Sequence, residues 1–340
     1  MHKRSFLVLL ACTILLVAAA GWTATGGGRP APPSLQGRRV LPQLAAALPN
    51  LAWIRLTHGK TTTDFNQIGG RWVVVEKGNY PAAQAQVRKL LLALSDLTLV
   101  EPKTERADRY ARLGLDDPSH GKSTQITLQD RSGQTVAELL IGKTRFDWLG
   151  GGNDGVYVRK PGDKRSWLAS GSLDLPADVS GWLNRKILDI PATQIEQVAL
   201  TAADGTALVL KRDKPGGDFA VADPPANAKF KDQTALAEPA TALSGLDLQD
   251  VSPRAGAPVP ASGVTKGVFT TTDGLTVTLQ LFAHDKGDWI AVAAEGHGKA
   301  AATAKAIDKR LAAWSFAIPT DRAQLLRTRL ADLLAPPKGS

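Results

Sequence analysis

Apolar and polar residues alternate along LAWIRLTH, Leu51 to His58, where Ile54 and Leu56 stand against Arg55 and Thr57. That two-residue period predicts a half-buried strand. After Gly69-Gly70 the β-branched run WVVVE, Trp72 to Glu76, has the same character, and the two runs together predict a hairpin. The period then changes: Val87, Leu90, Leu91, Leu94 and Leu97 recur at helical spacing, with Gln86, Arg88 and Lys89 on the opposite side. A helix with one apolar stripe is expected there, with Pro81, just after Tyr80, in its first turn, where a missing N–H costs nothing. STQITLQDRSGQTVAELLIG predicts two strands around Ser132-Gly133, and GVYVRK and SWLAS predict another pair joined at Pro161-Gly162. VSGWLNRKIL, Val179 to Leu188, carries a short helical signal.

Much of this order recurs. ALSDLTLVEP, Ala93 to Pro102, is echoed by ALSGLDLQDVSP, Ala242 to Pro253. Around the echo, QVALTAADGTALVLKR with its Asp204-Gly205 turn stands where the opening hairpin stood, and GDFAVADPP replaces GRWVVVEKGNYP. A weaker helix is expected around Leu236, Leu243 and Leu246, interrupted or started by Pro239. GVFTTTDGLTVTLQLF then matches the strand pair at Ser132-Gly133, and GDWIAVAAEG matches GVYVRK. The displacement is 242 − 93 = 149 at the echo and 274 − 133 = 141 at the later glycine turns, so the shortening falls in connectors, where length changes cost least. The expected fold class is α+β, with two divergent copies of a strand-strand-helix-strand unit and mainly antiparallel sheets. Chance likeness between Ala/Leu-rich helices is the competing account of the echo, and the ordered series of matches weighs against it. The expected units are a first lobe at 40–190, a second at 191–318, and a terminal helix and tail at 319–340, in which Leu326, Leu330 and Leu333 share a face.

The N-terminus adds an expected transmembrane helix. His2, Lys3 and Arg4 precede an uncharged apolar run from Phe6 to Trp22, including Leu7, Leu10, Ile14, Leu15 and Leu16. As a helix it spans about 25 Å, near the lower limit for a bilayer core. Three readings compete: an uncleaved anchor over 1–22, a cleaved signal using Ala18, Ala20 or Ala24, and a lipobox at Leu9 to Cys12. The length of the run favours the anchor. Residues 23–39, rich in Gly and Pro, are the expected flexible tether. Lys3 and Arg4 favour a cytoplasmic N-terminus, which places the body in the periplasm or otherwise outside the cytoplasm, on a single pass through the inner membrane.

Composition narrows the function classes. At 43% hydrophobic and 21% charged residues, the chain is built for a core rather than for disorder. A single cysteine excludes an intrachain disulfide. The net charge of +9 is spread through the body without a basic-aromatic run or reader motif, so no nucleic acid is expected as partner; an unspecific, solvated surface is the first reading of it, and a lipid surface or acidic envelope polymer is the partner that would suit it.

Candidate chemistry is sparse. The sequence contains no GxSxG, HExxH, CxxC or Walker loop, and the five histidines include no pair at helical spacing. No cofactor, metal or catalytic residue is expected, and the chain reads as a non-enzyme. Asp116 and Asp117 before Pro118 are a possible acid–base pair but fit a turn better. In FDWLGGGNDG, Asp147, Asn153 and Asp154 surround a glycine loop without calcium-loop spacing, and Trp148 beside them is the aromatic placed to touch a ligand. Trp72 and Trp289, inside apolar strand patterns, are expected in the core.

WVVVEKGNYPA, the Leu90 helix, YARLGLDDP, Ile141-Gly142-Lys143, VYV, GWLNRKIL and the closing WSFAIPTDRAQLLRTRLADLL follow one another in an order that resembles the family catalogued as domain of unknown function 4340. The resemblance implies an anchored, extracytoplasmic envelope protein, of a kind encoded beside or fused with components of gliding-motility-type ABC transport systems. It implies an ABC-type permease or its auxiliary subunits as partner, with ATP hydrolysis supplied by another polypeptide. The expected function is a non-catalytic binding or scaffold module. The alternative is an envelope polymer hydrolase with its site between the lobes.

Overall fold

The computed structural model describes residues 36–119, 121–147 and 154–335. The expected anchor from Phe6 to Trp22 lies outside them, and among the described residues no helix is long and apolar enough to cross a membrane. The architecture is α+β, dominated by two antiparallel sheets with few helices.

The first sheet contains β1 (Leu51–His58), β2 (Thr61–Ile68), β3 (Arg71–Val74), β4 (Tyr80–Pro81), β5 (Thr98–Pro102), β6 (Thr124–Asp130), β7 (Thr135–Arg145), β8 (Gly155–Arg159) and β9 (Trp167–Ser170). A small separate pair joins β10 (Lys186–Leu188), which lies between the main sheets in sequence, to β14 (Leu246–Asp247), which falls within the sequence of the second. The second sheet is made of β11 (Ile195–Thr201), β12 (Ala207–Lys211), β13 (Ala220–Val221), β15 (Asp250–Pro253), β16 (Thr265–Thr271), β17 (Leu275–His284), β18 (Gly287–Gly296) and β19 (Trp314–Ile318). In space the first runs β4-β3-β2-β1-β6-β7-β8-β9-β5 and the second β13-β12-β11-β16-β17-β18-β19-β15. With β4 set aside, each strand of the second sheet holds the place of the strand ten earlier in the first. β5 and β15, which carry the ends of the two echoed stretches, each close their sheet at the same edge, on β9 and β19.

After α1 (Leu44–Ala47), helix α2 (Gln84–Asp96) buries the stripe read from sequence: Val87, Leu90, Leu91, Leu94 and, just past its end, Leu97. Burying leucines of this kind contributes about 1.5–3 kcal/mol each. The helix starts without a capping side chain, and Gln84 ties it to the sheet instead. Its amide oxygen accepts from the Trp72 N–H at 2.9 Å, while its Nε2 donates to the Trp72 and Ala82 carbonyls at 2.8 Å each. In the second half, α4 (Gln233–Ala237) passes into a 3₁₀ turn, Glu238–Leu243, and α5 (Ala301–Leu311) lies against β17 and β18.

Several local expectations are corrected. The partner of β1 is β2, not the Trp72 run, because TTTDFNQI buries Thr63, Asp64 and Phe65 with little alternation of hydrophobicity to show it. Asp64 enters the interior as the bidentate acceptor of Arg55, at 2.8 Å from both Nε and Nη2. Tyr80–Pro81 is a short strand on β3, and the helix begins three residues later. Val179–Trp182 is a 3₁₀ turn followed by strand β10, and Leu246 is in β14 rather than a helix. The single terminal helix is two: α6 (Thr320–Leu326) and α7 (Leu330–Leu333), broken where Arg327 turns to Asp288 and Arg329 to Asp204.

Buried apolar side chains from both sheets contribute to one large core, and Ala257, Phe282, Trp289 and Ala291 form a smaller separate cluster. At the junction Tyr80 packs edge-on to Trp314 with centroids 5.0 Å apart, and Lys77 Nζ meets Asp250 Oδ1 at 2.6 Å. The Tyr80 hydroxyl donates to the Asn184 carbonyl at 3.1 Å. Burial pushes the Tyr80 phenol up to about 12 from an ordinary 10.0, with the Arg310 charge pulling slightly the other way. The folded state therefore favours the neutral phenol: its contribution is intact below pH ~10 and is lost as pH rises toward ~12, by about 2–3 kcal/mol in all. Ultraviolet titration of the three tyrosines at 295 nm should show one ionising late, and Tyr80→Phe should remove that late component. Retention of the late component in Tyr80→Phe would assign it to another residue.

Candidate functional site

Asp116 and Asp117 serve the turn that carries them. Asp116 Oδ1 accepts from the Lys122 N–H at 3.1 Å, and Asp117 Oδ1 accepts from the Ser119 N–H at 2.8 Å and from its hydroxyl at 2.5 Å. Hydrogen bonding of this local kind is what Asp does in loops. Asp147 and Asp154 do come together: the Asp147 N–H donates to Asp154 Oδ1 at 3.0 Å. Asp147 has φ +47°, a left-handed turn conformation that Asp tolerates. Trp148 and Asn153 lie outside the described residues. Among the described residues no group of three or more His, Cys, Asp or Glu side chains is arranged to hold a metal. Trp72 and Trp289 are in the core, 8% and 6% exposed.

The concavity with the most distinctive lining lies elsewhere, at the β5 edge of the first sheet. Residues 37–40 run beside β5 as an additional edge: the Gly37 N–H donates to the Leu99 carbonyl at 2.7 Å, the Leu99 N–H to the Arg38 carbonyl at 2.8 Å, and the Val40 N–H to the Leu97 carbonyl at 2.8 Å. The end of the stretch read as a tether is thus held against the sheet. Between this edge and the β8–β9 turn is a cavity of about 360 Å³. Its floor is apolar, from Val40, Leu99, Leu139 and Val158, all buried, with Trp167 at the side.

Its rim is cationic: Arg38, Arg39, Arg159, Lys160 and Arg165, with Asp163 the one carboxylate among the described residues of the lining. Three of the cations are engaged. Arg39 pairs with Asp96 at 3.4 Å, Arg165 pairs with Glu105, and Arg159 donates to the Asp163 and Leu115 carbonyls at 3.1 and 3.3 Å while stacking over Tyr110 at 4.3 Å. Arg38 and Lys160 are exposed and form no ion pair among the described residues. Even with Asp96 and Glu105 counted beside Asp163, five positive charges meet three negative ones. Low-dielectric walls concentrate the field of such a surplus.

The sequence contains no local signal for this site. Its cations come from positions 38 to 165, and only the antiparallel order β7-β8-β9-β5 brings them to one edge.

A family model described as a domain of unknown function (DUF4340) matches residues 72–265, more than half of the chain. No curated protein and no solved structure matches.

Proposed function

The chain belongs to the DUF4340 family, and from that premise we propose that it is a non-catalytic, membrane-tethered binding or scaffold protein outside the cytoplasm, auxiliary to an ABC-type transport system. The observation that carries this reading is the edge pairing of residues 37–40 with β5. A chain arriving from an anchor over 1–22 would join the body at this rim by backbone hydrogen bonds, which leaves only the residues before 37 of the expected tether as a linker. The transport partner rests on the family resemblance.

We further propose that the two sheets descend from one duplicated unit. The matching strand order supports this, as does the placement of the echoed stretches at β5 and β15. Two sheets sharing one core make a stiff platform, suited to holding partners in register.

The test is crosslinking in native membranes followed by purification. An ABC permease or one of its auxiliary subunits should be recovered repeatedly with the protein, and the yield should fall when residues 1–22 are replaced by a cleavable export signal. Recovery of the protein alone, from membranes in which a known complex crosslinks well, would reject the scaffold reading.

A further inference from the structure

We propose that the cavity between residues 37–40 and the β8–β9 turn binds a phosphate-bearing anionic amphiphile, of which the headgroup and first methylenes of an anionic phospholipid are the fitting source. The inference builds on the binding role proposed above but does not need the transport partner.

Three features point to that ligand class. First, Arg38 and Lys160 both line the cavity without ion pairs among the described residues, one on the entering segment and the other in the turn after β8. A phosphodiester between them would gain charge-assisted hydrogen bonds, with the arginine fork able to engage two oxygens and the lysine acting as a point charge. Second, the floor is apolar and buried, formed by Val40, Leu99, Leu139 and Val158. A free inorganic anion would leave that surface wet, whereas a ligand with methylenes next to its phosphate would cover it and gain from burying them. Third, the volume of about 360 Å³ is at the small end of ligand cavities, enough for a headgroup and the start of its chains.

Position agrees with chemistry. The cavity is lined by Arg38, Arg39 and Val40, near the start of the described body and after the stretch that leads from the proposed anchor. A body held by that edge would carry this rim on its membrane-facing side, where anionic headgroups are concentrated. Asp163 opposes the ligand charge and limits the affinity.

The experiment uses the full chain in a zwitterionic detergent, titrated calorimetrically with three probes below their micellar concentrations: dihexanoyl-phosphatidylglycerol, dihexanoyl-phosphatidylcholine and inorganic phosphate. Phosphatidylglycerol should bind saturably at one site, with phosphatidylcholine at least tenfold weaker and phosphate weaker than the lipid but competing with it. The double variant Arg38→Gln/Lys160→Gln should lose at least tenfold in phosphatidylglycerol affinity while keeping its urea denaturation midpoint, since both side chains are exposed. Equal binding of the two lipids, no saturable binding, or an unchanged affinity in the double variant would overturn the proposal. Phosphate binding as tightly as the lipid would overturn its amphiphile part and leave a free-phosphate site. Loss of the crosslinked permease with lipid binding intact would reject the transport role and leave this site standing.

Discussion

Trp182→Ala is expected to cost the folded protein about 3–5 kcal/mol, the range for removing a large buried aromatic side chain. Trp182 is 1% exposed and packs edge-on to Phe65 of β2, itself fully buried, with centroids 5.2 Å apart and planes at 74°. Its backbone also works: the Trp182 carbonyl accepts from the Ala83 N–H at 2.7 Å, and Leu183 bridges to Ala82. Four residues on, the same segment becomes β10 and pairs with β14, while Arg310 of α5 donates to the Lys186 and Ile187 carbonyls at 3.0 and 2.5 Å. GWLNRKIL is therefore a seam, plugged into the first sheet by an indole and stitched to the second-sheet half by backbone. Truncating the indole leaves a cavity beside Phe65 that these hydrogen bonds keep from collapsing. Urea denaturation checks the cost, with Trp182→Phe expected to recover more than half of it. A loss under 1 kcal/mol for the alanine variant would mean that the seam does not depend on this plug.

Why the sequence makes some of this visible and hides the rest follows from what each residue buries. Ile54 and Leu56, or Val277 and Leu279, alternate with polar neighbours because one face of their strand meets the core, and the alternation is the signal. The Leu90 stripe is visible for the same reason at a helical period. β2 is hidden because part of what it buries is an ion pair: Asp64, 8% exposed, is neutralised by Arg55 on β1, and its backbone N–H donates to Glu76 Oε1 at 2.8 Å. A hydrophobicity pattern cannot register a carboxylate whose cation comes from another strand. α5 is hidden differently, since AATAKAIDKRL buries alanine beside Ile307 and Leu311, and alanine is common on both faces of helices. The terminal segment has the leucines of one helix but is split by two arginines, one reaching Asp288 of β18 and the other Asp204 in the β11–β12 turn, a contest only the tertiary structure decides. Of the candidate site residues, Asp147 and Asp154 are seven positions apart in the chain, and a backbone N–H of one reaches the carboxylate of the other. The basic rim joins Arg38 to Arg165 through strand order and so has no local signature.

Gly142→Ala should be nearly as damaging as the loss of Trp182, at about 3 kcal/mol, the upper part of the range for forcing extra atoms into a packed site. Gly142 lies in β7, where the register with β8 shifts between Ile141 and Thr144. A Cβ there would sit 2.3 Å from the Leu113 carbonyl oxygen, 3.0 Å from that of Gly114 and 3.1 Å from Leu115 Cδ2. The first two are backbone atoms, which cannot rotate aside as a flexible side chain would. The approach is needed from the other side too: Gly114, at φ +68°, ends α3 (Tyr110–Leu113), and a Cβ on it would meet the Lys143 backbone nitrogen at 3.3 Å. Lys143 Nζ clamps the pair by donating to the Arg112 carbonyl at 2.9 Å. YARLGL and Ile141-Gly142-Lys143 are thus one structural device, two backbones in contact through two glycines. Displacing it also moves Leu115, whose carbonyl holds Arg159 at the cavity rim. If Gly114→Ala and Gly142→Ala each wedge the same contact open, the double variant should cost less than the sum of the singles by at least about 1 kcal/mol. Additive costs in that cycle, or a Gly142→Ala protein within 0.5 kcal/mol of the parent, would show that the two backbones separate without penalty.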